Sequence, residues 1–166
     1  MKKLKCFLIV LFLLVLILFF VRLINPREID DVSPGIFCEE EYLLKSDVLW
    51  VIPNFEGNDI SKNRTWCDYI LSLNKTLGLH GILHEYEEFS EEKTSEELLG
   101  AVQIFGNCFG FLPTLFKAPQ LKIIDENKRL VKNNNLQLKG KFNQLTHKVY
   151  HCNDTGMISN NFINLF

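Results

Sequence analysis

Two histidines stand four apart in the stretch HGILHEYEEF, His80 and His84, just ahead of a dense acidic run. Imidazoles are good metal ligands, but a metal centre built on this pair needs a third donor. The zinc-protease pattern H-E-x-x-H does not apply, because Gly81 occupies the glutamate position. Taken alone, the pair reads equally well as two hydrogen-bonded histidines beside an acidic surface loop. Upstream, REIDDVSPG places Asp30 and Asp31 side by side before a turn-forming Ser-Pro-Gly. Adjacent carboxylates on a strand face opposite ways. At a strand end the chain turns, and both can reach one pocket, one as a metal ligand and the other as a base. The plainer alternative is an acidic turn. Two further histidines, His147 and His151, lie in THKVYHCND near the C-terminus.

The elements that must position these residues alternate along the chain. Val48 to Ile52 is a continuous apolar run stopped by Pro53, as in a buried strand. Ser61 is expected to cap a helix running to Gly78, with Trp66, Tyr69, Ile70, Leu73 and Leu77 at helical spacing. Leu79 to Leu83 reads as a strand that would place His80 and His84 on one face. A second helix opens at Thr94 or Ser95 and ends near Gly106 or Gly110. Leu115-Phe116-Lys117 is strand-like and stopped by Pro119, and a third helix covers roughly Asp125 to Asn134. Leu136 to Leu138 and Lys148 to Tyr150 are further strands, and Ser159 to Phe166 a last helix. Alternation of this kind implies an α/β fold with a parallel sheet or barrel. Sites in such folds lie beyond the C-terminal ends of the strands, where His84, Pro119 and His151 would sit.

The first 27 residues form a separate object. MKKLK is followed by sixteen residues, Cys6 to Val21, whose only polar side chain is the Cys6 thiol. With Arg22, Leu23 and Ile24 the stretch approaches the ~17–25 residues that cross a bilayer. No small-residue cleavage site follows, so an uncleaved signal anchor is expected over a cleaved signal peptide or a buried core helix. Lys2, Lys3 and Lys5 should remain cytoplasmic, giving a single-pass membrane protein with residues 28–166 outside. That outer part carries 13 Lys+Arg against 20 Asp+Glu, a net charge of -7, and lacks the basic stripe that nucleic acid demands. Its length suits one domain. It holds Cys38, Cys67, Cys108 and Cys152. An even count outside the cytoplasm permits disulfides in three pairings. Free buried cysteines are the other reading, and with no C-x-x-C a zinc knuckle is not expected. Asn63, Asn74 and Asn153 begin N-glycosylation sequons.

Asp30-Asp31, then H-x-x-x-H, then Phe116-Lys117-Ala118-Pro119, then a late histidine, is an ordered set that resembles the polysaccharide deacetylases of carbohydrate esterase family 4 (CE4). The DDVSP run looks closest to a branch of predicted deacetylases that carries it as the first motif. The resemblance spans about Arg27 to the C-terminus. It implies a shortened, distorted (β/α) barrel of parallel strands, preceded by one transmembrane helix. It also implies that Asp31, His80 and His84 hold a divalent metal, with Asp30 the general base and a late histidine the general acid. Of the two late histidines, His151 is favoured over His147 because it would sit at the strand's end. Zinc suits two imidazoles and one carboxylate, although cobalt, nickel and iron accept the same donors. The backbone N–H of Gln120, after Pro119, is a candidate donor to the oxyanion.

The sequence departs from the family pattern in three ways. Lys117 stands where the family usually has an arginine bracing the base, and lysine lacks the planar two-pronged fork. Gln120-Leu121 replaces the usual Tyr-Gly, and the domain is short. The implied activity is deacetylation of N-acetylated amino sugars in a cell-envelope or extracellular glycan, cleaving an amide but not a peptide bond. A small molecule or lipid headgroup near the membrane is a second candidate substrate, and a non-catalytic glycan-binding or envelope-interaction domain is the reading from another class. Glu85, Glu87, Glu88, Glu91 and Glu92 read as a solvated acidic loop or as extra ligands. Trp50, Trp66 and Phe116 read as core, and Phe89 as the aromatic placed to stack on a sugar.

Overall fold

The computed structural model describes residues 2–165. Helix α1 (Lys2–Ile24) comprises 23 residues. At 1.5 Å per residue it is about 34 Å long, enough for a hydrocarbon core of ~30 Å. An 18-residue window within its Lys3–Ile24 stretch has a mean hydropathy of 3.3, and the stretch is long and apolar enough to cross a membrane.

Three residues later the chain enters a six-stranded, all-parallel sheet. The strands are β1 (Glu28–Val32), β2 (Val48–Val51), β5 (Thr76–His80), β6 (Leu115–Lys117), β7 (Gln137–Lys139) and β8 (Val149–His151). Their spatial order is β7-β6-β5-β2-β1-β8. Two short strands, β3 (Asn54–Phe55) and β4 (Asn58–Asp59), make a separate hairpin. Helices α2 (Glu40–Lys45), α3 (Arg64–Ser72), α4 (Ser95–Phe109), α5 (Asp125–Asn133) and α6 (Lys141–Thr146) occupy the connections, and α7 (Asn160–Leu165) follows β8. The expected α/β architecture is therefore present, as a shortened parallel sheet with surrounding helices.

Alternation along the strands sorts the side chains. Ile29, Leu49, Leu77, Leu79, Phe116 and Tyr150 alternate onto one face and are buried in the hydrophobic core. The register pairs Asp30 with His151, Trp50 with Gly78 and His80 with Lys117. Glu28, Asp30, Trp50, His80, Lys117 and His151 therefore share the opposite face. Three strand spacings separate β6 from β1, about 14 Å in a flat sheet. Lys117 Nζ nevertheless lies 2.7 Å from Asp30 Oδ1 and 3.2 Å from Glu28 Oε2. Side chains standing off a flat sheet could not bridge that gap, so the sheet curls around its polar face. Gly78 permits this: a Cβ there would come within 2.4 Å of the Trp50 ring.

Helix α4 lies where its signals place it. Thr94 and Glu97 form a reciprocal capping box, and Gly110 closes the helix at φ 79. The helix expected from Ser61 to Gly78 is shorter. Ser61 instead donates to Asp59, Asn63 caps α3 by accepting from the Trp66 N–H, and Asn74 turns the chain at φ 52. Thr76 to Leu79 then pairs with β2, because sheet pairing and burial outweigh the helical spacing of Leu77. The last helix runs Asn160–Leu165, and Phe166 of the expected segment lies outside the described residues. The four cysteines beyond α1 are paired, Cys38 with Cys152 and Cys67 with Cys108, while Cys6 on α1 is free. The first joins the loop after β1 to the residue following His151. The second joins α3 to α4.

Candidate metal centre and catalytic cleft

The centre begins with a bulge. Between Ile29 and Val32, β1 has one residue more than β2, and Asp31 there adopts φ 65. A non-glycine residue in the left-handed region is uncommon and marks a backbone held by its surroundings. Here it turns Asp31 away from the alternation, so that both carboxylates are used at the same strand end. Asp30 keeps the inner face and pairs with Lys117, whose ammonium is fully buried between Asp30 and Glu28 and 5.5 Å from the Trp50 ring centroid. The Trp50 indole N–H donates to Glu28, as does the Asn143 side-chain amide.

Asp31 meets the histidines. Its Oδ1 lies 3.3 Å from His80 Nε2 and 2.8 Å from His84 Nε2, while Oδ2 takes His151 Nδ1 at 3.2 Å and the Thr155 hydroxyl at 3.0 Å. His80 Nδ1 lies 3.0 Å from the Lys117 carbonyl. A carbonyl only accepts, so Nδ1 carries a proton there, and Nε2 is the ring atom turned toward Asp31. Three donor atoms, one each from Asp31, His80 and His84, lie within 4.8 Å of one another. Two imidazoles and a carboxylate grouped in this way make a set that could hold a metal ion.

His80 and His84 do not share a strand, as their spacing had suggested. β5 ends at His80, Gly81 turns at φ 67, and His84 stands in the following loop at φ 63. A Cβ on Gly81 would lie 2.6 Å from Pro119 Cγ and 2.5 Å from Glu88 Oε2, so both the conformation and the space call for glycine. The loop is held by Glu88, whose buried carboxylate accepts from the N–H groups of Ile82 (3.0 Å), Leu83 (2.8 Å) and His84 (3.3 Å). Sequence reasoning grouped Glu88 with a solvated acidic run. Its position shortly after His80 and His84 is no signal by itself, since only the folded turn reveals what it bonds. Phe89 is likewise core, edge-on to Phe116 at 4.9 Å, not a sugar platform.

The remaining expected residues divide. Pro119 is buried against Gly81. Gln120 takes φ 48, and its side-chain oxygen accepts from the Glu87 N–H at 2.9 Å, tying the β6 loop to the histidine loop. His147 is not beside Asp31: it caps α6, with Nδ1 2.9 Å from the Thr146 hydroxyl and Nε2 3.9 Å from Glu28. Of the two late histidines, His151 is the one brought to Asp31.

The electrostatics follow from this crowding. Burial would raise the Asp31 pKa, but hydrogen bonds from His151, His80 and His84 overcome it and hold the carboxyl far below the usual range. Burial lowers the basicity of His84, yet the Asp31 hydrogen bond and the charges of Asp31, Glu88 and Asp30 raise its pKa overall. His151 is also raised: Asp31 and Asp30 outweigh burial and the opposing Lys117 charge.

No family model and no curated protein matches the sequence. Solved structures do. A peptidoglycan N-acetylglucosamine deacetylase matches at 12% identity and TM-score 0.53, over 68% of this chain and 54% of that one. A CE4 family pseudoenzyme from Bacillus anthracis matches at 14% identity and TM-score 0.51, over 68% of this chain and 41% of that one. The chitin deacetylase of the fungal pathogen Colletotrichum lindemuthianum matches at 15% identity and TM-score 0.50, over 69% of this chain and 55% of that one. The chain thus spans about half the length of these structures or less. At such identities the likeness is one of fold, and the fold is that of the CE4 polysaccharide deacetylases.

Proposed function

We propose that the protein is a metal-dependent amidohydrolase of the polysaccharide deacetylase family, removing acetyl groups from N-acetylated amino sugars of a cell-envelope or extracellular glycan. Residues 1–27 would anchor it, with residues 28–166 forming the domain outside the cytoplasm. The observation that carries this reading is the convergence of Asp31, His80 and His84 on one point, with Asp30 braced by Lys117 alongside. Asp31, His80 and His84 would hold the metal, most plainly zinc. When bound, it supplies a Lewis acid that polarises the acyl oxygen and makes water a nucleophile near neutral pH. Asp30 takes the proton of the attacking water, its carboxylate fixed by the buried Lys117. His151, oriented through Nδ1 by Asp31, gives a proton to the departing amine as the C–N bond breaks. The products are acetate and a free amino sugar. The backbone N–H of Gln120 would help bear the oxyanion.

The second reading, a glycan-binding envelope domain, draws support from the presence of a pseudoenzyme among the structures sharing this fold. Acetate release from N-acetylglucosamine oligomers by the zinc-loaded full chain separates the two. Release abolished by Asp30→Asn supports the enzyme, whereas oligomer binding without release supports the second reading.

A further inference from the structure

Charge is unevenly spread along the outer domain. Residues 28–114 carry 5 Lys+Arg against 17 Asp+Glu, whereas residues 115–166 carry 8 against 3. The fold gathers part of that basic excess beside the metal centre. A groove of about 540 Å³ is lined by Lys122, Lys128, Lys139 and Lys141, and among the described residues none that lines it is acidic. Lys122 pairs with Glu87 and Lys128 with Asp125, while Lys139 and Lys141 have no ion pair among the described residues. Two positive charges are therefore left over. Half-buried Ile123, Ile124 and Leu138 complete the wall with apolar surface, and low-dielectric walls focus the field of the charges beside them. The groove lies on the rim of the metal centre. His80, Lys117 and Lys139 end β5, β6 and β7 and are register partners in turn. At ~4.8 Å per strand, the Cα atoms of His80 and Lys139 are at most about 10 Å apart. The two sites also share a wall: Ala118 lines the groove, and the carbonyl of the preceding Lys117 lies 3.0 Å from His80 Nδ1. Lys122 reaches Glu87 in the loop that follows His84.

Resting on the deacetylase reading above, we infer that the substrate glycan is anionic, and that this groove holds a sugar bearing a carboxylate or phosphate near the acetamide sugar at the metal. A bare ion does not need such room: the volume falls within the ~300–1,000 Å³ of sites for small organic ligands. Charge and apolar wall together suit a sugar ring, whose C–H face packs on Ile123 and Ile124 while its anionic substituent meets Lys139 and Lys141. The span of about 10 Å from β5 to β7 is one that a short saccharide covers.

The test uses the zinc-loaded full chain in nonionic detergent. Acetate release is measured from three N-acetylglucosamine tetramers: neutral, oxidised to a 6-carboxylate at a terminal sugar, and phosphorylated at that position. Wild type at low salt is expected to show a KM about fivefold lower for an anionic tetramer than for the neutral one, an advantage that fades at high salt. Which anionic tetramer gains distinguishes carboxylate from phosphate. Lys139→Gln/Lys141→Gln should reduce the advantage to about twofold or less without moving kcat or KM for the neutral tetramer. Lys62→Gln/Lys132→Gln makes the same change in net charge at exposed lysines outside the groove and should keep it. An advantage that survives in the first double variant, or vanishes in the second, overturns the groove. Release with no preference for charge in wild type overturns the anionic glycan while leaving the deacetylase reading standing. Calorimetric binding of the same tetramers to Asp30→Asn separates the remaining failures. Charge-selective binding that needs Lys139 and Lys141, with release from none, keeps the groove and removes the deacetylase reading. Neither binding nor release removes both.

Discussion

Asp30 and Asp31 are neighbours in the chain whose carboxylates belong to different charge systems. Asp30 pairs with the buried ammonium of Lys117 at 2.7 Å, and Asp31 faces His84 at 2.8 Å. The bulge at Asp31 makes this division, and on the proposed function each carboxylate has a separable role.

Substitution should expose that separation. Asp31→Ala and His84→Ala are expected to lose the metal, measured as zinc per purified chain. Asp30→Asn should keep near-stoichiometric zinc while losing at least a hundredfold in acetate release, in line with removal of a general base. Equal zinc loss in all three would make Asp30 a ligand and end its assignment as base.

Lys117 is fully buried with two carboxylates. Replacing it by Met leaves Glu28 and Asp30 as uncompensated buried charges, at a cost of about 3–5 kcal/mol. Urea denaturation of Lys117→Met against wild type reads this directly. A change under 1 kcal/mol would mean that the carboxylates protonate or relax at little expense.

Glu88 carries three backbone N–H groups of the loop that ends at His84. Glu88→Ala should weaken zinc binding by about 10–100-fold, the range for partners that orient a ligand. Competition against a chromophoric chelator gives the number, and unchanged affinity would show that the loop holds itself.

The chelated protein should also be pH-sensitive. His84 and His151 have folded pKa values above their usual 6.5, so their contribution to stability is complete below about pH 6.5 and fades as pH rises through those raised values. Asp31 stays ionised throughout this window and adds no slope. Denaturation of the chelated chain between pH 6 and 9 should show falling stability, and His151→Gln should flatten it. A flat wild-type profile would remove the coupling.

Much of the architecture was legible because it rests on local patterns. The apolar run from Cys6 to Val21, the strand stopped by Pro53 and the Thr94 cap each declare themselves within a few residues. So does the ordered set Asp30-Asp31, His80, His84 and Pro119. The shortened helix α3 was not legible, because Leu77 satisfies helical and strand spacing alike and only pairing with β2 decides between them.

By itself the sequence determined which residue types stand at the ends of which strands, since periodicity and turn chemistry are local. Tertiary structure alone decided how they meet. Lys117 reaches Asp30 only because the sheet curls, and Asp31 reaches His84 only because a bulge and the Glu88-held turn bring them together. His151 rather than His147 joins Asp31, and Cys38 rather than another cysteine joins Cys152. Each of these contacts bridges residues dozens of positions apart. Their energy depends on distance and burial, which no local pattern records.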